Sequence, residues 1–267
     1  MLGPVTFQPS ELAKIAVVMW TAAFAVRKQG VLQSFKDGMF PSLLVIMPVL
    51  FLIVSEPHLS ATLITAALAI LVLFVAGFPL RHFAVVVGTA LPLLWSVLGV
   101  NSYQRARVIT FFNLLVGNQD RDVTSGAGYQ VEQAEIAIGA GGFWGRGYGN
   151  SVQKHFYLPE AQNDFIYPII AEEWGFLGGI IVIGLFLLWT LLGFRIARSA
   201  PDLFGRLLAI GLTGIVAIGA FAHIGITMGV LPTTGVSLPF ISAGGTGLVV
   251  VLGSTGILLN VASWRVR

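Results

Sequence analysis

The sequence predicts an all-α fold, a polytopic bundle of membrane-spanning helices, on three observations. Of its 267 residues 56% are apolar and 10% are charged, whereas soluble domains average about a quarter charged. The apolar residues form continuous runs, several near the roughly 20 residues that a helix needs to cross the hydrocarbon. Those runs lack the period-two alternation of barrel strands.

In chain order the runs cover roughly 11–29, 40–55, 59–77, 82–99, 165–194, 206–230 and 239–262, about seven spans in one transmembrane domain over 1–267. Proline and glycine interrupt several of them (Pro48, Pro92, Pro168, Gly211, Gly214, Gly219), as membrane helices tolerate where neighbours re-satisfy the backbone. Residues 101–163 form one long connection. Within it Gly126–Gly139 reads as a short amphipathic helix lying on the membrane or dipping into it. A connection of that length tends to be functional. The first ten residues show neither a basic region nor an apolar run, so no cleavable signal is expected. The absence of cysteine excludes disulfides and thiolate metal sites.

Orientation follows from the basic residues of the short loops. Arg27, Lys28 and Lys36 follow the first span, Arg81 the third, Arg195, Arg198 and Arg206 the fifth, and Arg265 and Arg267 the seventh. Those ends are expected to be cytoplasmic. Residues 55–59 and 231–239 carry no Lys or Arg and are expected outside, together with 101–163. The net charge of +3 is therefore a matter of topology and gives no reason to expect nucleic-acid binding.

Four segments carry polar patterns. In Phe7–Lys14, Ser10 can cap a helix while Glu11 and Lys14 sit three apart on one face and can pair; a helix start with a snorkelling lysine explains the same residues. The external connection opens with Gln104-Arg105-Ala106-Arg107. It later carries Gly141-Gly142 and Gly145 to Gly149, where backbone could approach a ligand closely or simply flex. The third segment, Ser151 to Gly178, feeds Glu160, Asp164, Glu172 and Glu173 into a membrane-length apolar run. Carboxylates at that depth are costly and mark a functional path. Asp164 could instead cap the helix it precedes, and His155 reads as an interfacial loop residue. The presence of Lys154 and Glu160 beside it favours an external site for an anionic ligand. The fourth, Leu231 to Gly247, is an uncharged hairpin of Pro, Gly and hydroxyl residues between two spans. Close helix packing accounts for Gly245 and Gly247, and Ser242 stays ambiguous.

Together these segments resemble the FtsW/RodA/SpoVE (SEDS) family of bacterial cell-wall synthesis. The likeness rests on FQPSELAK at 7–14, GAGYQ and AIGAGG within 126–142, GNSVQK and YLPEAQNDF within 149–165, EEWGFLG at 172–178 and LPTTGVSLPFISAGG at 231–245. The wording around Gly149–Ala161 is closer to the FtsW/SpoVE branch. Family members have about ten spans and FQPSE usually opens the fourth, so the resemblance implies a chain lacking the first three. Departures are Pro57-His58-Leu59-Ser60-Ala61-Thr62 where relatives usually read PDLGT, His223 where Asn is usual, Asn163 for Thr and Ala243 for Tyr.

The resemblance implies a peptidoglycan glycosyltransferase in the bacterial cytoplasmic membrane that polymerises lipid II on the outer face, for division or shape. Asp164 is the implied catalytic carboxylate. Lys14, Arg105 and Lys154 are implied pyrophosphate contacts, with Glu11 and Glu160 orienting them or helping to hold a divalent cation, Mg²⁺ or Mn²⁺, and Ser242 at the substrate; no metal ligand set is readable and no organic cofactor is implied. A class B penicillin-binding protein transpeptidase is the implied partner, among other division or elongation proteins. Two other readings are a lipid II flippase and a non-catalytic membrane scaffold for a transpeptidase. The clustering of ionisable groups on the external side favours the enzyme over the flippase.

Overall fold

The computed structural model describes residues 8–56, 59–89, 107–112, 126–155 and 157–264. Among them there is no strand. Among the described residues the fold is carried by helices α1 (Pro9–Arg27), α2 (Phe40–Ser55), α3 (Leu59–Val75), α4 (Leu80–Thr89), α5 (Gly126–Gly141), α6 (Ile166–Arg198), α7 (Leu203–Thr227) and α8 (Gly245–Ser263). Each of the seven apolar runs contains a helix. Among the described residues five helical stretches, α1, Phe35–Ser55, α6, α7 and α8, are long and apolar enough to cross a membrane. The helices in 59–77 and 82–99 are shorter. α3 has 17 residues, about 26 Å at 1.5 Å per residue, and the rest of the fourth run lies outside the described residues. The chain is a multi-pass membrane protein.

Three boundaries differ from the sequence reading for local reasons. Ser10 is not the cap of α1: Pro9 occupies the first turn, where its missing N–H costs nothing, and Gln8 precedes the helix. Ser10 is buried inside the first turn. α2 is lengthened by a π-helical turn at Phe35–Met39 whose start is capped by Ser34, which accepts from the Asp37 N–H at 3.2 Å. α8 starts at Gly245 rather than at 239, because Phe240 turns the chain at φ 65 and residues 240–243 are a turn.

The chain divides into two compact units, one of residues 1–93, 188–218 and 245–267 and the other of 94–187 and 219–244. In the first unit α7 packs on α1 and α3 through glycine. A Cβ at Gly211 would lie 2.3 Å from Val18 Cγ1, and one at Gly214 would lie 2.8 Å from Leu71 Cδ2. Small residues at such points let membrane helices approach closely, and any larger residue would force them apart. At the start of α1, the Gln8 N–H donates to Thr246 Oγ1 at 3.2 Å.

The second unit forms around α5 and the first half of α6. α5 is amphipathic as expected, burying Val131, Ala134 and Ala137 on one stripe and exposing Glu135 and Ile136 opposite. Its last residue explains one of the glycines. A Cβ on Gly141 would fall 2.0 Å from the Ala171 carbonyl oxygen, so only glycine lets α5 end against α6.

Candidate active site

Residues 157–165 form a compact turn in which apolar and polar positions divide the work. Leu158, Ala161 and Phe165 are buried with Ala134 of α5 and Ile169 of α6 in one apolar cluster. That burial anchors the turn and leaves the intervening polar residues at its edge. Glu160 takes a left-handed conformation (φ 53). Its carbonyl accepts from the N–H groups of Asn163 and Asp164, each at 3.0 Å, and its Oε2 accepts from Asn163 Nδ2 at 2.7 Å. Asp164 is thereby held half-buried just before α6. α6 begins at Ile166, so Phe165 occupies the position that a cap would take.

The wall facing Asp164 comes from the hairpin 231–244. Gly235 has φ +70, and a Cβ there would sit 3.0 Å from Asp164 Oδ2. The glycine is required twice, for its left-handed backbone and for the space it leaves to the carboxylate. Side chains from elsewhere secure this irregular backbone, as membrane-embedded loops require. Arg107 Nη1 donates to the Thr233 carbonyl at 3.2 Å and His223 Nδ1 lies 2.6 Å from the Val236 carbonyl. Ser242 Oγ accepts from the Leu238 N–H at 2.7 Å and donates to the Asn163 carbonyl at 2.6 Å, and the Ala243 N–H reaches the Gln162 carbonyl at 3.1 Å. Ser242 thus ties the hairpin to the Asp164 turn.

The two glutamates of the third segment do something else. Glu172 is fully buried. Its carboxylate accepts from Ser151 Oγ (2.6 Å), Val152 N (3.1 Å) and Gln153 N (3.3 Å) and pairs with Arg146 Nη1 at 3.2 Å. Charge-assisted bonds of this kind offset the cost of burying an ion. Glu173 Oε1 pairs with Lys154 Nζ at 2.7 Å and receives the Ser151 N–H at 3.4 Å.

Both side chains sit beside a break in α6. Gly175 is non-helical (φ 69, ψ −166), which interrupts the hydrogen-bond ladder of the span. The glycine-rich segment takes up the groups this sets free. Arg146 N and Gly147 N donate to the carbonyls of Glu172 and Glu173, each at 3.0 Å, while Phe176 N and Leu177 N donate to those of Gly142 (2.9 Å) and Phe143 (3.4 Å). A Cβ on Gly145 would lie 2.2 Å from the Glu173 oxygen. The close approach expected of Gly145–Gly149 is therefore made at Gly145 to the chain's own broken helix. The break is not legible in the residue pattern, since Gly175 lies within the run 165–194 and glycine is common in membrane helices.

The remaining candidates divide between the units. Glu11 and Lys14 pair at 2.6 Å as their spacing predicts, both largely buried, in the first unit. Lys154 belongs to the second, where two of its three N–H donors go to Glu173 and the Gly149 carbonyl. Arg105 lies outside the described residues. Among the described residues no group of three or more His, Asp or Glu side chains is placed to hold a metal ion. Arg107 and His223, which hold the hairpin, went unselected in the sequence because their bonds are to backbone carbonyls far away along the chain.

The sequence model of the FtsW, RodA and SpoVE proteins, described as "Cell cycle protein", matches residues 1–266. The chain belongs to the FtsW/RodA/SpoVE family. Among its curated relatives, the probable peptidoglycan glycosyltransferase FtsW of Geobacter sp. (strain M18) is 37% identical over 96% of this chain and 68% of its own length. That of Trichlorobacter lovleyi is 40% identical over 96% and 66%. Stage V sporulation protein E of Bacillus subtilis is 37% identical over 98% and 70%. The chain thus spans about two thirds of the length of these relatives. Its fold is similar throughout to a chain of a peptidoglycan synthase complex solved for the structural coordination of polymerization and crosslinking (TM-score 0.75, 29% identity, 100% of this chain and 73% of that one). It is also similar to the rod shape determining protein RodA of Thermus thermophilus (TM-score 0.62, 26% identity, 100% and 69%).

Proposed function

We propose that this chain is a peptidoglycan glycosyltransferase that polymerises lipid II at the outer face of the cytoplasmic membrane, with Asp164 as its general base. The relatives named peptidoglycan glycosyltransferase support the activity class. Asp164 itself carries the mechanistic reading. It is a half-buried carboxylate at the entry of a membrane-length helix, and its Oδ2 faces a glycine that leaves room beside it. In the reaction a sugar hydroxyl of the acceptor forms a bond to the anomeric carbon of the donor, the bond from that carbon to the pyrophosphate breaks, and the hydroxyl proton passes to Asp164. A positioned base typically contributes about 10²–10⁴-fold.

The departing undecaprenyl pyrophosphate needs cations near the charge it develops. Lys14, Lys154 and Arg105 remain the proposed contacts. Lys154 would act as one member of its pair with Glu173, and Lys14 as one member of its pair with Glu11. Ser242 acts in this reading through the hairpin, since both its bonds are to backbone. The described residues do not fit a protein-built cation cage. A Mg²⁺ or Mn²⁺ ion would have to arrive with the pyrophosphate and touch one or two carboxylates, as Mg²⁺ commonly does.

A class B penicillin-binding protein is the proposed partner, supported by the likeness to a synthase complex. α8 is the better surface for a single-span partner, because most of its residues are left exposed whereas most of α7 is buried. A flippase would place half-helix ends at its substrate, whereas the freed groups at the α6 break bond to residues 142–147. The test is lipid II polymerisation by the purified protein in liposomes, with and without the partner. Glycan strands on a gel are expected. Movement of lipid II between leaflets without strand formation would replace this reading by the flippase.

A further inference from the structure

We propose that His223 is a positioning residue for Asp164, acting by clamping the Thr233–Val236 backbone against the Asp164 carboxylate. The inference rests on the assignment of Asp164 above and adds to it a residue on a different helix.

His223 lies on α7 and is fully buried. Its Nδ1 is 2.6 Å from the Val236 carbonyl oxygen. A carbonyl can only accept, so Nδ1 carries the hydrogen, and in the neutral ring Nε2 is then a bare acceptor. That Nε2 is buried with no protein partner. Burying a ring nitrogen unsatisfied is costly, and such a group calls for an explanation. Every hydrogen bond the ring makes goes to one carbonyl, so the hairpin is what the imidazole serves.

That carbonyl is next to the residue that matters. Gly235 immediately precedes Val236, and the space where its Cβ would stand is 3.0 Å from Asp164 Oδ2. On the other side of Gly235, Arg107 grips the Thr233 carbonyl at 3.2 Å. A four-residue segment is therefore held at both ends, with its only glycine, in a left-handed conformation of φ +70, against the carboxylate. Irregular backbone of this kind has no ladder of its own. If Val236 is released, Gly235 is free to move away from Asp164, and the carboxylate loses the wall that limits its rotamers. Displacement of a catalytic group by about 1 Å can cost about 100-fold in rate, so a remote clamp is a sufficient cause of a kinetic defect.

The chemistry of the bond supplies its own test. In asparagine the donor nitrogen is one bond from Cγ, as Nδ1 is in histidine, whereas in glutamine it is one bond further out. His223→Asn and His223→Gln therefore compare the same amide at the right and the wrong reach, and His223→Leu removes the donor. All are compared in the intact chain with its partner, by lipid II polymerisation and by hydrogen exchange of the 233–238 amides. Thr213→Ala, a buried hydroxyl bonded to Ala209 in the other unit, shows what stability loss alone does to the rate. We expect His223→Asn to keep kcat within about twofold of the parent and to keep the amides protected. His223→Gln and His223→Leu should lose protection and about tenfold or more in kcat, with KM changed less than about twofold. Equal kcat in all variants, or equal damage by Asn and Gln, overturns the proposal. So does loss of protection without loss of kcat. The exchange result reads the clamp without reference to catalysis. If Asp164→Asn keeps polymerising while the exchange pattern holds, the assignment of Asp164 has failed and the clamp has not.

Discussion

Asp164 and Glu172 lie within one short stretch of chain, yet their surroundings are opposite. Glu172 is fully enclosed and its oxygens receive Ser151, Val152, Gln153 and Arg146. Asp164 is half-buried at the edge of an apolar-anchored turn and faces a glycine. Carboxylates in a membrane-length helix are expensive, and proximity in sequence suggests one shared purpose for them. The structure separates two. Glu172 and Glu173 bind the loop 146–154 to the broken α6, whereas Asp164 stands at the edge of its turn opposite Gly235.

This contrast can be broken most severely at Glu172. Glu172→Ala takes the acceptor from the Ser151 hydroxyl and from the Val152 and Gln153 N–H groups, and the partner from the exposed Arg146; each buried donor left unsatisfied typically costs about 1–3 kcal/mol. Thermal unfolding and yield of membrane-inserted protein should both fall sharply. A stable, fully active Glu172→Ala protein would show that the loop does not depend on this carboxylate. Gly235→Ala should come next. Its left-handed backbone costs a non-glycine residue about 1–2 kcal/mol, and the added methyl would press on Asp164 Oδ2. We expect a larger loss in polymerisation than in stability, judged by kcat per folded molecule against the unfolding temperature. Ser242→Ala should have the smallest effect on polymerisation; it removes two hydrogen bonds, each about 0.5–1.5 kcal/mol, seen as faster hydrogen exchange at Leu238. An unchanged exchange rate would mean that the backbone bond of Ala243 to Gln162 suffices to join hairpin and turn.

Patterns local in sequence were readable before the structure. The apolar runs, the Glu11–Lys14 pair and the amphipathic α5 each follow from spacing on one helix. The turn around Asp164 was recognisable as a motif, though its physical basis, the burial of Leu158, Ala161 and Phe165 in one cluster, needs the fold. What was not legible depends on groups far apart in the chain. Ser10 looked like a cap because its side chain suits one, but Pro9 beside it already begins the helix. The break at Gly175 was not legible because single glycines are common inside membrane helices, and its compensation comes from residues 142–147. The grips of Arg107 and His223 end on carbonyls, and carbonyls leave no trace in a sequence.

The central claim is that Asp164 is the carboxylate that takes the proton, and Asp164→Asn tests it most directly. The substitution keeps the size of the side chain and one acceptor oxygen, and Asp164 does not cap α6, so the folded protein should be retained. Lipid II polymerisation should be measured for Asp164→Asn beside Glu172→Gln, each normalised to folded protein and assayed with the partner. The account predicts a fall of about 10²–10⁴-fold in kcat for Asp164→Asn at an unchanged unfolding temperature, and for Glu172→Gln a lowered unfolding temperature with activity per folded molecule near that of the parent. An Asp164→Asn protein that polymerises lipid II at the parent rate would contradict it.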